Sequence, residues 1–235
     1  WGAALPGTIT LDQAKSEAAL RDAVPSSFVD PVDAAVAFDP ATGAYAVTPA
    51  EAGTAIDVDD LAAAISETVS DGGKNLEFSG DPTPAMAAVT DENATTIATS
   101  LNTLLGTIGF YVGDERTVPV DAATAASWLK VVDTDGKLSI EADPALIQAT
   151  VDTLPGLVDR APVNAANVTN SAGKVLRAET AGVNGRTIGD TSDIASDFAT
   201  QLESGDGIYP LTVTETPFQS VNLVRTADVN PRTQT

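Results

Sequence analysis

The chain is expected to fold in the α+β class, as two tandem modules that lay helices on small mixed or antiparallel sheets. Two observations predict this. Short strand-like runs with alternating apolar residues are interleaved with amphipathic helical stretches, in a chain of 235 residues that suits one large or two small domains. The chain also repeats itself, loosely but in order. Pro31-Val32-Asp33-Ala34-Ala35 returns as Pro162-Val163-Asn164-Ala165-Ala166. Gly43 is matched by Gly173 and Gly53 by Gly182, and the triplet Leu61, Ile65, Val69 by Ile194, Phe198, Leu202, each stepping along one helix face. Residues 76–82 (LEFSGDP) return in form as 211–217 (LTVTETP). The expected modules are residues 1–88 and 89–220, followed by a polar tail, 221–235.

Taken in order, Thr10 caps a helix over residues 11–24, which Pro25 closes because proline lacks the amide donor and restricts its predecessor. Residues 35–38 and 44–47 flank Asp39-Pro40-Ala41-Thr42-Gly43, a hairpin turn by composition. Asp57 or Val58 opens the next helix, Gly72-Gly73 closes it, and a strand follows at 76–78. Residues 80–90 read as a linker, since Pro82, Pro84 and Gly80 oppose regular structure. From Asp91 a helix carries Ile97, Leu101, Leu104 and Leu105 on one stripe. Ile108, Phe110 and Val112 form a strand, with Val118 and Val120 as its partner across Gly113-Asp114-Glu115-Arg116. A short helix over 122–130 holds Trp128-Leu129, and another strand begins near Leu138. Asp143-Pro144 starts a helix running to Leu154, closed at Pro155, before the second hairpin, helix and strand.

Acidic residues outnumber basic ones 33 to 12, for a net charge of -21. The excess is even, with 14 acidic and 3 basic residues in 1–88 and 19 and 9 in the remainder, so the whole surface is negative. That disfavours nucleic acid and anionic lipid, which need clustered Lys and Arg. No run reaches the ~20 apolar residues that span a bilayer, so no membrane insertion is expected in this segment. The start at Trp1 and the polar end read as an excised piece of something longer.

The chain has no cysteine and no histidine. Disulfides, thiolate-bound metal, the Cys-His pair, the Ser-His-Asp triad and the common zinc sites are therefore all excluded. Asp133-Thr134-Asp135-Gly136-Lys137 opens like a calcium loop, but the closing position falls on Pro144, and an Asp-Gly turn accounts for it better. Asp57, Asp59 and Asp60, like Asp190 and Asp193, suit a helix start, where the dipole favours negative charge. Gly182-Val183-Asn184-Gly185 lacks the lysine and spacing of a phosphate loop. With 33 acidic residues a close carboxylate pair carries no specificity; an enzyme built on one would need two acids facing across a cleft, one with a raised pKa. Among aromatic residues, Tyr45 and Tyr111 lie in strands where alternate side chains face solvent, and Trp128 belongs in the core. No catalytic, cofactor or metal residue emerges, and no ligand contact is assigned.

Residues 94–202 resemble the peptidoglycan-binding domain found upstream of L,D-transpeptidase catalytic domains and of vancomycin-resistance W-like domains in Gram-positive bacteria. The resemblance rests on Leu101-Asn102-Thr103-Leu104-Leu105, Ile108-Gly109-Phe110-Tyr111-Val112-Gly113-Asp114, Ala126-Ser127-Trp128-Leu129, the helix from Asp143, Ser171-Ala172-Gly173-Lys174-Val175 and Gly182. Residues 8–88 are similar to the latter part of a preceding copy. The resemblance implies a non-catalytic, extracellular cell-wall module, anchored to the membrane outside this chain, with peptidoglycan and a downstream catalytic domain as partners. The transpeptidase nucleophile motif needs His and Cys, so that activity is not carried over. The competing expectation is a structural or adhesive stalk whose repeats supply reach without a wall ligand.

Overall fold

The computed structural model describes residues 10–73, 75–76 and 78–224. It is α+β: the described residues form seven α-helices, one 3-10 turn and six small sheets. Two compact units emerge. One takes in the chain up to Asp39, Tyr45–Thr99 and Val131–Ser139; the other takes in Pro40–Ala44, Ser100–Lys130 and the chain from Ile140 onward.

In the first unit, α1 (Gln13–Ala23) starts one turn later than the sequence suggests. Asp12, not Thr10, is the cap, its carboxylate accepting from Lys15 N at 3.1 Å. Pro25 does not simply end the helix; it opens a 3-10 turn, Pro25–Ser27, where a missing amide costs nothing. The hairpin β1 (Ala35–Asp39) and β2 (Ala44–Thr48) folds as expected, with Gly43 at φ 68° in its turn. Next come β3 (Gly53–Ala55) and α2 (Val58–Ser70), capped by Asp57 through Asp59 N at 2.8 Å.

The expected strand at 76–78 is not formed at Leu76 or Phe78, and Glu77 lies outside the described residues. The strand sits instead in the supposed linker: β4 (Thr83–Ala85) runs antiparallel to β3, with Pro84 opposite Thr54. Proline fits because Thr54 turns its own N–H and C=O the other way, to Val29 at 2.8 and 2.9 Å, so that register position asks no donor of its partner. The core of this unit gathers Ala34, Val89, Ala94 and Leu138, with Val36, Val47, Ile97 and Val131 packed on it.

The helix α3 (Asp91–Thr107) buries Ala94, Ala98, Leu101 and Leu104. In the second unit, β5 (Gly109–Val112) and β6 (Glu115–Pro119) pair as expected. Arg116 reaches back from β6 to the carbonyls of Gly106 and Ile108, placing a cation at the C-terminal end of α3 where the dipole favours it. The helix α4 (Ala122–Trp128) stops at Trp128; Leu129 already begins β7 (Leu129–Thr134), a strand missing from the sequence reading. Its partner is β8 (Lys137–Ala142). Asp135 (φ 52°) and Gly136 (φ 78°) make the turn, and Asp133 spends its carboxylate on Gly136 N at 2.9 Å, so the calcium-loop likeness is hairpin chemistry.

Where one helix was expected from Asp143 to Leu154, α5 (Pro144–Val151) and α6 (Leu154–Val158) follow one another, with Pro155 in the first turn of α6. Then come β9 (Ala165–Thr169), β10 (Val175–Thr180), β11 (Gly185–Ile188), α7 (Ile194–Glu203), β12 (Ile208–Pro210), β13 (Val213–Thr216) and β14 (Ser220–Val224). The sheet β12-β5-β6 is mixed, β12 lying parallel to β5; β10-β9-β14 is mixed as well, and β11 pairs antiparallel with β13. Residues 221–224, assigned to a polar tail by sequence, thus complete β14, and 225–235 lie outside the described residues.

The repeat survives as a hydrogen-bond plan. Bridges Val29–Thr54 and Val32–Glu51 in the first copy answer Arg160–Arg186 and Val163–Val183 in the second. Asp33 Oδ1 accepts from Val89 N at 2.9 Å while Ala34 N donates to Val89 O at 3.1 Å; Asn164 Oδ1 and Ala165 N do the same with Gln219, at 2.9 and 2.8 Å. One sequence match is corrected. The counterpart of Gly53 is Gly185, not Gly182, because both open a tight strand approach, on Val29–Pro31 and on Arg160–Pro162. Gly182 instead lies against the Phe218 ring. The helix triplets also differ in burial: Ile194, Phe198 and Leu202 are buried, whereas Leu61 and Ile65 are half-buried and Val69 is exposed.

Candidate functional site

The aromatic platform raised by the sequence is not formed. Tyr45 is buried against Phe38, Tyr111 is half-buried with its hydroxyl donating to Thr107 O at 2.8 Å, and Tyr209 stacks on the core. Trp128 is in the core as expected, 2 % exposed, with its ring edge-on to Phe198 at 6.2 Å.

The cleft that stands out lies in the second unit, and local chemistry builds it step by step. Asp121 caps α4, accepting from Ala123 N (3.1 Å), Thr124 N (3.0 Å) and the Thr124 hydroxyl (2.7 Å). The Thr124 bonds, with Ala123 N behind them, hold the Asp121 carboxyl below its ordinary value. At its far end α4 hands Trp128 directly to β7, and β8 returns the chain to Asp143, whose N–H donates to Trp128 O at 2.8 Å. Asp143 then caps α5 through Ala145 N at 2.9 Å. Between these two strips lies a cleft of about 530 Å³, lined by Trp128, Leu129, Lys130, Glu141, Asp143 and Leu146 among others. Lys130, Glu141 and Asp143 are exposed, and Lys130 forms no ion pair with a described residue.

Such a cleft can bind; the side chains at hand offer little reactivity. Asp143 is engaged as a cap, and no group of three metal-ligating side chains is assembled among the described residues. Asp190, like Asp121, is held below its ordinary value, first by Ser192 N–H and then by the Ser192 hydroxyl, opposite to the raised acid a carboxylate enzyme needs. Among the described residues no helix is long and apolar enough to cross a membrane.

Two other places were not legible in sequence. Arg186 is a buried cation on β11, bonded to Val158 O at 2.8 Å and to Glu115 at 3.1 Å; it is a structural tie whose polar groups are answered locally. Tyr209 is held above its ordinary value of 10.0, mainly by burial and then by the charges of Asp197 and Asp193. A raised acid binds its proton more tightly in the folded state, so its contribution to stability is complete below that ordinary value and fades as pH rises through the raised one. In urea titrations, the midpoint is expected to fall above pH ~10 in the parent chain and to fall less in Tyr209→Phe; equal loss in both would contradict the assignment.

No protein-family model, curated protein or solved structure matches the chain.

Proposed function

We propose that this chain is a non-catalytic, extracytoplasmic module of a Gram-positive cell-wall protein, binding peptidoglycan or positioning an L,D-transpeptidase-type catalytic domain, with its membrane anchor outside the segment. The observation that carries the reading is the cleft beside Trp128: its volume of about 530 Å³ suits a small ligand, its lining mixes charge of both signs with apolar surface, and its one structural acid is already spent as a helix cap. The residues quoted for the family resemblance pass through this region, at Ala126-Ser127-Trp128-Leu129 and the helix from Asp143.

Purified peptidoglycan, incubated with the chain at physiological salt and pelleted, is expected to retain it, with retention persisting as salt is raised because the protein's net charge of -21 gives anionic wall polymers no attraction to screen. Absence of retention would overturn the binding role. The duplicated bridge and clamp plan favours a second reading in that case, a spacer that supplies reach, for which solution scattering would report an elongated pair of units.

A further inference from the structure

Trp128 presents an unanswered donor. The residue is 2 % exposed, yet its indole N–H meets no acceptor among the described residues, and Nε1 is not one of the polar atoms sealed off from solvent. It therefore opens on the cleft that Trp128 lines. Leaving a buried donor without a partner costs about 1–3 kcal/mol, so a group from outside the protein that accepts this hydrogen bond is favoured by the same amount it relieves. Beside it Leu146 keeps 46 % of its surface, an apolar contact at the cleft rather than in the core. At the rim, Lys130 faces solvent together with Glu141 and Asp143, so neither a bare anion nor a bare cation is matched by the whole site. What these features fit is a neutral acceptor oxygen with a small apolar group attached.

We propose that the cleft recognises an amide: the ligand's carbonyl oxygen accepts from Trp128 Nε1, and the methyl group beside that carbonyl rests on Leu146. This deepens the wall-binding reading and rests on it for the source of the amide, which is either the acetamido group of an amino sugar or the peptide bond of an alanine-containing stem. The two share one chemistry, and the experiment separates them.

The chain, ¹⁵N-labelled and carrying Trp1→Phe so that Trp128 gives the single indole signal, is titrated with N,N′-diacetylchitobiose in one arm and with N-acetyl-Ala-Ala in the other. The expected result is a saturable downfield shift of the Trp128 indole proton in at least one arm, at millimolar concentrations typical of small fragments. Leu146→Glu, at a position already open to solvent, is expected to weaken that binding roughly tenfold while leaving the amide spectrum of the fold intact. A shift with the sugar alone assigns the acetamido group, and a shift with the peptide alone assigns the stem. No shift in either arm overturns the proposal, even where whole peptidoglycan still retains the chain, since the wall contact would then lie elsewhere. A shift in the absence of retention on peptidoglycan overturns the wall reading and leaves the amide cleft standing. Unchanged affinity in Leu146→Glu would remove Leu146 from the site and overturn the proposed pose.

Discussion

Phe198→Ala is expected to destabilise the second unit by about 3–5 kcal/mol, the largest single loss available in that unit. Phe198 has no exposed surface and is the hub of an aromatic group: Phe110 lies at 5.1 Å between ring centroids, Tyr209 at 5.2 Å and Trp128 at 6.2 Å, the Phe110 and Trp128 contacts edge-on. Because α7 presents it with Ile194 and Leu202 on the side that packs against α5, truncation leaves a cavity walled by two helices and a sheet that cannot collapse together. Trp128 fluorescence in urea reports this directly, with the midpoint moving to lower denaturant. Phe198→Leu, which keeps most of the volume, is expected to lose about 1.5 kcal/mol or less. A loss below about 1 kcal/mol for the alanine variant would show that the aromatic group is not the core of this unit.

Gly53→Ala is the second large effect, and it acts on the first unit through the backbone. A β-carbon there would stand 2.1 Å from Val29 O and 2.6 Å from Pro31 N. Neither atom belongs to a side chain that can rotate away, and Val29 O is already the acceptor for Thr54 N at 2.8 Å. The strand crossing must open, which is expected to cost about 3 kcal/mol or more. Hydrogen exchange at the Thr54 amide checks the mechanism, since protection there should fall first. Gly185→Ala should echo the effect more mildly in the second unit, its nearest neighbours being Pro162 Cδ at 2.7 Å and Pro162 N at 2.8 Å. Gly106→Ala, in helix α3 with open space around the new atom, is the control, expected to stabilise by about 0.5–1 kcal/mol. Should Gly53→Ala be as benign as that control, the close approach is wrongly placed.

These residues also show what the sequence makes legible. Local chemistry was readable: Gly43 in its hairpin, Asp57 and Asp143 as caps, Gly113 in the β5–β6 turn and the α+β class itself follow from neighbours a few positions apart. Pairing between distant strands was not. Pro84 argued for a linker until Thr54 proved to direct its polar groups to Val29, a fact that no window of sequence around residue 84 contains. The match of Gly53 to Gly182 failed for a related reason. Identity and spacing favoured it, but the demand for a glycine comes from a strand some 25 residues away, as the contacts of Gly53 and Gly185 make plain. The cleft was hidden for the same cause: α4, β7, β8 and α5 each contribute a few lining residues, and Trp128 was read correctly as core while its unanswered indole proton is a property of the packed state alone.

The clamp formed by Asp33 with Val89, and again by Asn164 with Gln219, carries a topological dividend. In each case it fastens the point where the chain enters a copy to the point where it leaves, so the two ends of that copy are neighbours in space. A gene segment bounded at those positions could be excised or multiplied without rerouting the polypeptide on either side. Arrays of different length, built from the same interchangeable bead, are open to this scaffold for that reason.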